Sequence, residues 1–322
     1  MENKINIKDI AIKTILEEAS TIKKLADYVD EDFIKTTELI LNSKGRVVIT
    51  GIGKSANIAN KIVATLNSTG TPALFMHAAD AIHGDLGMIR PNDVIICISK
   101  SGNTPEIKVL VPLIKNMGNY LIAMVSNPDS FLGQHANYVL KSTVEKEACP
   151  NNLAPTNSTT AQLVIGDALA VCLLESRQFS SQDFARFHPG GALGKRLYTR
   201  VNDLTVTNNP PMVRENESIR PIILEISSKR MGATAVVDEN QKLKGIITDG
   251  DLRRMLEHNE KVDHLTAADI MTPSPKTIEG EELAINAFNL MEKNSITQLT
   301  VVLHGKYIGM IHLHDILKEG IV

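Results

Sequence analysis

Two short stretches combine glycine, hydroxyl side chains and lysine at a spacing that suits an anion. The first is Thr50-Gly51-Ile52-Gly53-Lys54-Ser55-Ala56, where an apolar run gives way to a helical pattern. A Walker A loop needs a glycine five positions before Gly53, and Val48 stands there, so the nucleoside-triphosphate reading fails. Gly51, Gly53 and Ala56 formally satisfy a dinucleotide fingerprint. About twenty residues on, however, stand Met76 and His77 instead of an acidic residue, which argues against NAD. What remains is a glycine turn whose backbone can approach a phosphate, with helix N–H groups, Ser55 and Lys54 as further donors. A plain turn with a solvated lysine is the alternative.

The second stretch, Ser99-Lys100-Ser101-Gly102-Asn103-Thr104, follows the apolar run 94–98 and precedes a helix starting near Thr104. Its hydroxyls, glycine and helix N-terminus form another set of anion donors; an N-cap alone would use a single hydroxyl. Gly53, Ser55, Ser99, Lys100, Ser101, Gly102 and Thr104 are therefore candidate phosphate contacts. His77, at the end of another apolar run, could touch substrate or bind an adventitious inhibitory zinc with a second histidine. Further ligands are not identifiable, which argues against a structural zinc.

These loops need a scaffold that presents strand ends together. Short β-rich runs at 46–50, 73–76, 94–98, 120–125 and 138–140 alternate with helical segments. Several are apolar throughout, as strands buried on both faces must be. The pattern predicts an α/β fold with a doubly wound, mainly parallel five-stranded sheet, whose ligand sits at the carboxyl ends of its strands. Helical apolar spacing from Ile12 to Val29, then a second helix to Leu41, predicts a cover for the sheet or for a partner subunit.

After Arg200 the texture changes, with a loop at Asn208-Asn209-Pro210-Pro211. Two stretches then resemble each other at an offset of 64 residues: 245–252 matches 309–316, 235–237 matches 299–301, and a helix at 219–229 matches one at 283–293. Two copies are too few for a solenoid and should pack as a pseudo-symmetric pair. A first domain over 1–200 and a second over 201–322 follow, the second with halves at about 205–262 and 269–322.

Formal charge is −3 over 322 residues, with basic residues scattered and no Trp, which argues against a nucleic-acid partner. Cys97, Cys149 and Cys172 form no CxxC pair, in keeping with a reducing cytoplasm. Residues 1–10 lack a signal-peptide core, and the longest apolar helix candidate, 163–174, is interrupted by Gly166 and Asp167. Neither a leader nor a membrane span is expected.

The Ser-x-Ser-Gly-x-Thr loop, together with Gly-x-Gly-Lys-Ser, resembles the sugar isomerase (SIS) domain, a flavodoxin-like fold. Motifs 81–87 (AIHGDLG), 146–150 (KEACP), 153–160 (LAPTNSTT) and 188–194 (HPGGALG) are similar to those of the D-arabinose 5-phosphate isomerases. The duplicated second domain resembles an α+β tandem CBS pair, which those enzymes commonly carry. The resemblance implies interconversion of D-ribulose 5-phosphate and D-arabinose 5-phosphate for Kdo synthesis, serving lipopolysaccharide or capsule, without a required metal or organic cofactor, in a homotetramer with shared active sites. It places the catalytic roles on Lys54, His83, Glu106, Glu147 and His188, the last completing a neighbouring subunit's site. Departures from the family's pattern are Ala56 in place of a common glycine, and Lys100 and Asn103 in the serine loop.

By residue type, the chemistry needs a carbon base and an oxygen acid. Glu147 is the favoured base and Glu106 the runner-up, His83 can shuttle protons between oxygens, and Lys54 can stabilise an enediolate or bind phosphate. Each has a plain rival: a turn histidine, a carboxylate at a helix N-terminus, a solvated glutamate. In the CBS pair, a hydroxyl three residues before an aspartate, Thr248 and Asp251, implies a nucleotide or nucleotide-sugar contact. The second copy keeps Asp315 but has His312 in place of the hydroxyl. The rival functions are a non-catalytic phosphosugar sensor and an isomerase of a different phosphosugar.

Overall fold

A computed structural model describes residues 6–205 and 209–322. Residues 1–5 and Asn208, on which part of the leader and linker readings fell, lie outside the described residues. The chain divides into two compact units between Phe187 and His188, and segment 188–200 packs with the second: Lys195 Nζ reaches the Glu319 carboxylate at 2.9 Å, and the Thr199 carbonyl accepts from the Ala284 N–H at 2.8 Å.

In the first unit, strands β1 (Val47–Gly51), β2 (Ala73–His77), β3 (Val94–Ile98), β4 (Tyr120–Val125) and β5 (Tyr138–Lys141) form a five-stranded sheet in the order β2-β1-β3-β4-β5. Every pairing is parallel. β1 and β3 are buried at every position, yet the period of two survives inside them. Ile49, Ile96 and Ile122 pack on one face with helices Glu31–Asn42, Lys54–Ser68 and Asn157–Ser176. Val48, Ile95, Cys97 and Leu121 pack on the other with helix Pro105–Asn116. Helices on both faces are what oblige these strands to be apolar throughout.

Helix Asn157–Ser176 is long and apolar enough by composition to cross a membrane. It also supplies Ile165, Leu169, Ala170 and Leu173 to the core, where Gly166 lets it approach Ile62 closely. That is the packing of a core helix. At the opposite, amino edge of the sheet, the buried Asp93 carboxylate accepts from Arg46 Nη2 at 2.8 Å, from the Arg46 backbone N–H at 2.8 Å and from the Arg90 N–H at 2.9 Å, pinning the entries of β1 and β3.

The second unit holds two sheets. β6 (Met212–Arg214), β7 (Ala233–Val237), β8 (Leu243–Thr248) and β9 (Thr272–Pro273) make one, and β10 (Thr277–Glu279), β11 (Gln298–Leu303) and β12 (Lys306–His312) the other. Each copy runs short strand, helix, antiparallel hairpin and capped helix, so the duplication is real. Its offset needs correction. Helices Ile219–Lys229 and Ala284–Asn294, β6 and β10, and the bulged residues Val236 and Val301 correspond at 65 residues, not 64. From Gly245 and Gly309 onward the offset is 64, because the second hairpin is one residue shorter. Thus 235–237 corresponds to 300–302.

Candidate active site

The strand order places the point where the winding reverses between β1 and β3, the crevice in which open α/β sheets take ligands. Gly51 at the carboxyl end of β1 is in register with His77 of β2 and with Ile98 of β3. The glycine turn and the serine loop therefore leave adjacent strands at one edge. Gly53 has φ +59° with open space around it, so the turn conformation and not crowding favours glycine there. Lys54 opens the following helix and is exposed, with no acidic residue in that helix's first turn.

The serine loop is built more firmly. The Ser99 N–H donates to the Met124 carbonyl, and Ser99 Oγ accepts from the Gly102 N–H at 3.1 Å. Gly102 sits at φ +65°, where a Cβ would collide with Ser130 Oγ, so the loop is pressed against the segment after β4. Asn103 Oδ1 accepts from the Phe131 N–H at 3.0 Å. Thr104 leads into helix Pro105–Asn116 without capping it: its hydroxyl is buried and unpartnered. The first-turn N–H groups and Thr104 Oγ1 are thus donors in search of an acceptor, as an anion site requires. Glu106 lies in that first turn, partly exposed.

Glu147 is the most constrained member. The Lys100 carbonyl accepts from the Ser126 N–H, and Ser126 Oγ donates to the Ser142 carbonyl at 2.8 Å, so the exit of β5 is tied to the serine loop. Five residues later the Glu147 side chain is fully buried. Its Oε1 accepts from Lys100 Nζ at 2.5 Å, while Oε2 accepts from the Thr156 N–H at 2.9 Å, Thr156 Oγ1 at 3.3 Å and the Ser158 N–H at 3.1 Å. The carboxylate thus rests on the N-terminus of helix Asn157–Ser176. Burial pushes its pKa up, but Lys100, Ser158 and Thr156 outweigh burial and hold it at about 2. The solvated glutamate of the plain reading is excluded.

The two residues assigned separately from sequence, Lys100 to phosphate and Glu147 to the carbon, are in contact. Sequence reasoning gave no role to Asn152, Thr156 and Ser158; the signal was the hydroxyl-rich start of a helix inside the 153–160 motif. Asn152 Oδ1 accepts from the Glu147 N–H at 2.7 Å and fixes the turn.

His83 is exposed in the turn after β2, its N–H donating to the Asp80 carbonyl at 2.9 Å. His77 ends β2 with a buried Nδ1 3.7 Å from Asp80 Oδ2. Among the described residues, no group of three His, Cys, Asp or Glu side chains is gathered that could hold a metal. His188 belongs to the second unit, in a tight turn closed by the Gly191 N–H donating to its carbonyl.

Residues 39–172 match the SIS domain family, and 201–258 and 267–321 each match the CBS domain family. The arabinose 5-phosphate isomerase KdsD of Francisella tularensis is 49% identical over 313 residues, covering 96% of this chain and 95% of that one. The KdsD of Pseudomonas aeruginosa is 46% identical, covering 100% and 99%. The chain belongs to the KdsD arabinose 5-phosphate isomerase family. Among solved structures, the E. coli CFT073 protein c3406 in complex with arabinose 5-phosphate aligns at a TM-score of 0.56 and 38% identity, over 59% of this chain and 100% of its own.

In the CBS part of this KdsD family member, the hydroxyl–aspartate pair has a local role. Thr248 Oγ1 donates to Asp251 Oδ2 at 2.6 Å, the Thr248 N–H donates to the same oxygen at 2.8 Å, and together they form a capping box on helix Asp249–His258. Asp251 Oδ1 takes Arg254 and Thr272. In the second copy His312 and Asp315 cap helix Leu313–Glu319 in the same way, with His312 Nδ1 as acceptor. The spacing read as a nucleotide contact is the spacing an N-cap demands.

Proposed function

We propose that this enzyme interconverts D-ribulose 5-phosphate and D-arabinose 5-phosphate in the cytoplasm, without a metal or organic cofactor, and supplies arabinose 5-phosphate for Kdo synthesis. The observation that carries the reading is Glu147: a buried carboxylate fixed on a helix N-terminus and touching the serine loop, in a chain with full-length KdsD relatives.

The serine loop, with Ser55, takes the phosphate and leaves the carbonyl end of the open-chain sugar to the carboxylates and Lys54. Glu147 removes the C2 proton of the aldose. The C–H electron pair becomes the C1–C2 double bond, and the carbonyl pair moves onto O1, whose charge Lys54 offsets. Return of a proton at C1, with loss of the O2 proton through His83, leaves the C2 ketone. Glu106, beside the loop, supplies or accepts the oxygen-bound proton. The enzyme works as a homotetramer in which His188 completes a neighbouring protomer's site. The CBS pair takes a nucleotide or nucleotide sugar as a regulatory ligand; its support is the family match of both copies.

Conversion of D-ribulose 5-phosphate in D2O with EDTA, followed by NMR, tests the chemistry. Arabinose 5-phosphate carrying solvent deuterium at C2 is the expected product. Absence of conversion would overturn the isomerase reading, and a product without solvent deuterium at C2 would mean that the base carries the carbon proton across without exchange or that no enediolate forms.

A further inference from the structure

The two oxygens of Glu147 are held unequally. Oε2 has three donors from Thr156 and Ser158, all fixed by the start of helix Asn157–Ser176, and the Ser158 hydroxyl also bonds the carboxylate, whereas the one charged donor, Lys100 Nζ, sits on Oε1. Lys100 is itself part of the serine loop, and its side chain is 42% exposed, so it can swing without disturbing packed neighbours. No other charged side chain contacts Glu147 among the described residues. The flanking Glu145 and Lys146 turn away to Lys24 and Glu17 of helix Ile7–Leu25, at 2.6 and 2.5 Å, and the chain at Asn152 contributes only an amide. Meanwhile the loop that carries Lys100 has an unpartnered Thr104 hydroxyl and uncapped helix N–H groups.

We infer that Lys100 is a positioning residue that couples phosphate binding to the base: a phosphate dianion on the serine loop draws the ammonium away from Glu147 Oε1 and leaves that oxygen free to accept the carbon proton. The inference rests on the phosphosugar reading above. Its logic is a competition for one cation. With Lys100 on Glu147, the carboxylate is a poor base, satisfied on both oxygens. With Lys100 on the phosphate, a dianion competing against a monoanion, the buried carboxylate loses its one charged donor and its proton affinity rises. Basicity then appears only when substrate is bound, which keeps the free enzyme inert. Lysine suits this task because its single charge rides on a flexible stem.

The test is the titration of Glu147 in the full-length protein, read by infrared difference spectroscopy of the carboxylic-acid C=O band, assigned by its loss in Glu147→Gln. Sulfate is the probe, since it is dianionic over the range to which the Glu147 transition would be raised. Saturating sulfate is expected to move the Glu147 transition of wild type upward by about one pH unit or more, the size of a neighbouring-charge effect. Lys100→Met is expected to show the raised value without sulfate and no further response to it. A Glu147 transition that sulfate leaves in place, in a wild type that still isomerises D-arabinose 5-phosphate, would overturn the coupling and leave the isomerase reading intact. A wild type without isomerase turnover would sink both.

Discussion

At the scale of single residues, Glu147 joins catalysis to stability. Its carboxyl is depressed to about 2 from an ordinary value of 4.5, and the stabilisation this represents is on the order of 3 kcal/mol. A depressed pKa means that the contribution is fully present above the ordinary carboxylate range and is lost as pH falls from there toward 2. Urea denaturation should therefore find Glu147→Gln less stable than wild type at pH 7 by that order, with the gap closing progressively below pH ~4. An unchanged gap at low pH would mean that the loss comes from packing and not from charge. Sequence marked Glu147 and Lys100 as members of one site but could not pair them. They lie on different loops, 47 residues apart, and only the ladder through Ser126 and Ser142 brings them into contact. Thr248 and Asp251 show a different limit: they form a capping box, and because a capping box and a ligand contact share one spacing, sequence alone does not tell the two apart.

At the scale of elements, the sheet was readable because burial on both faces leaves β1 and β3 wholly apolar. The reading of 94–98 coincides with β3, whereas 46–50 fell one residue early against Val47–Gly51. The repeat offset of the second unit slipped by one because the hairpins differ in length, and a shortened loop carries no apolar signature. Gly102 makes the element-level argument testable. Its positive φ and the closeness of Ser130 mean that Gly102→Ala must displace the serine loop. The expected result is a KM for D-arabinose 5-phosphate raised at least about tenfold, from a loss of about 1.4 kcal/mol or more in substrate binding. A KM equal to wild type would remove the loop from the phosphate site. Asp93, buried on Arg46 at the amino edge, gives the matching control. Asp93→Ala should cost about 3 kcal/mol of stability by leaving that guanidinium unpaired, with kcat preserved in the folded fraction.

At the scale of the whole molecule, the c3406 chain aligns over its full length with 59% of this chain, an extent close to that of the first domain. Residues 1–200 expressed without the CBS pair should keep isomerase turnover and lose any response to nucleotides. Helix Ile7–Leu25 buries only Leu25 and exposes Ile7, Ile12, Ile15 and Leu16, an apolar face that the homotetramer proposed above would cover. The sharing of sites between protomers proposed above predicts complementation: subunits carrying Glu147→Ala, reassembled with subunits carrying His188→Ala, should recover a fraction of wild-type turnover that neither parent shows. The most direct measurement of the central claim is simpler. Steady-state interconversion of D-arabinose 5-phosphate and D-ribulose 5-phosphate, in EDTA, should be rapid for wild type and reduced about 10²- to 10⁴-fold in kcat for Glu147→Gln. A Glu147→Gln enzyme as fast as wild type, or a wild type that binds the phosphosugar without turning it over, would contradict the account.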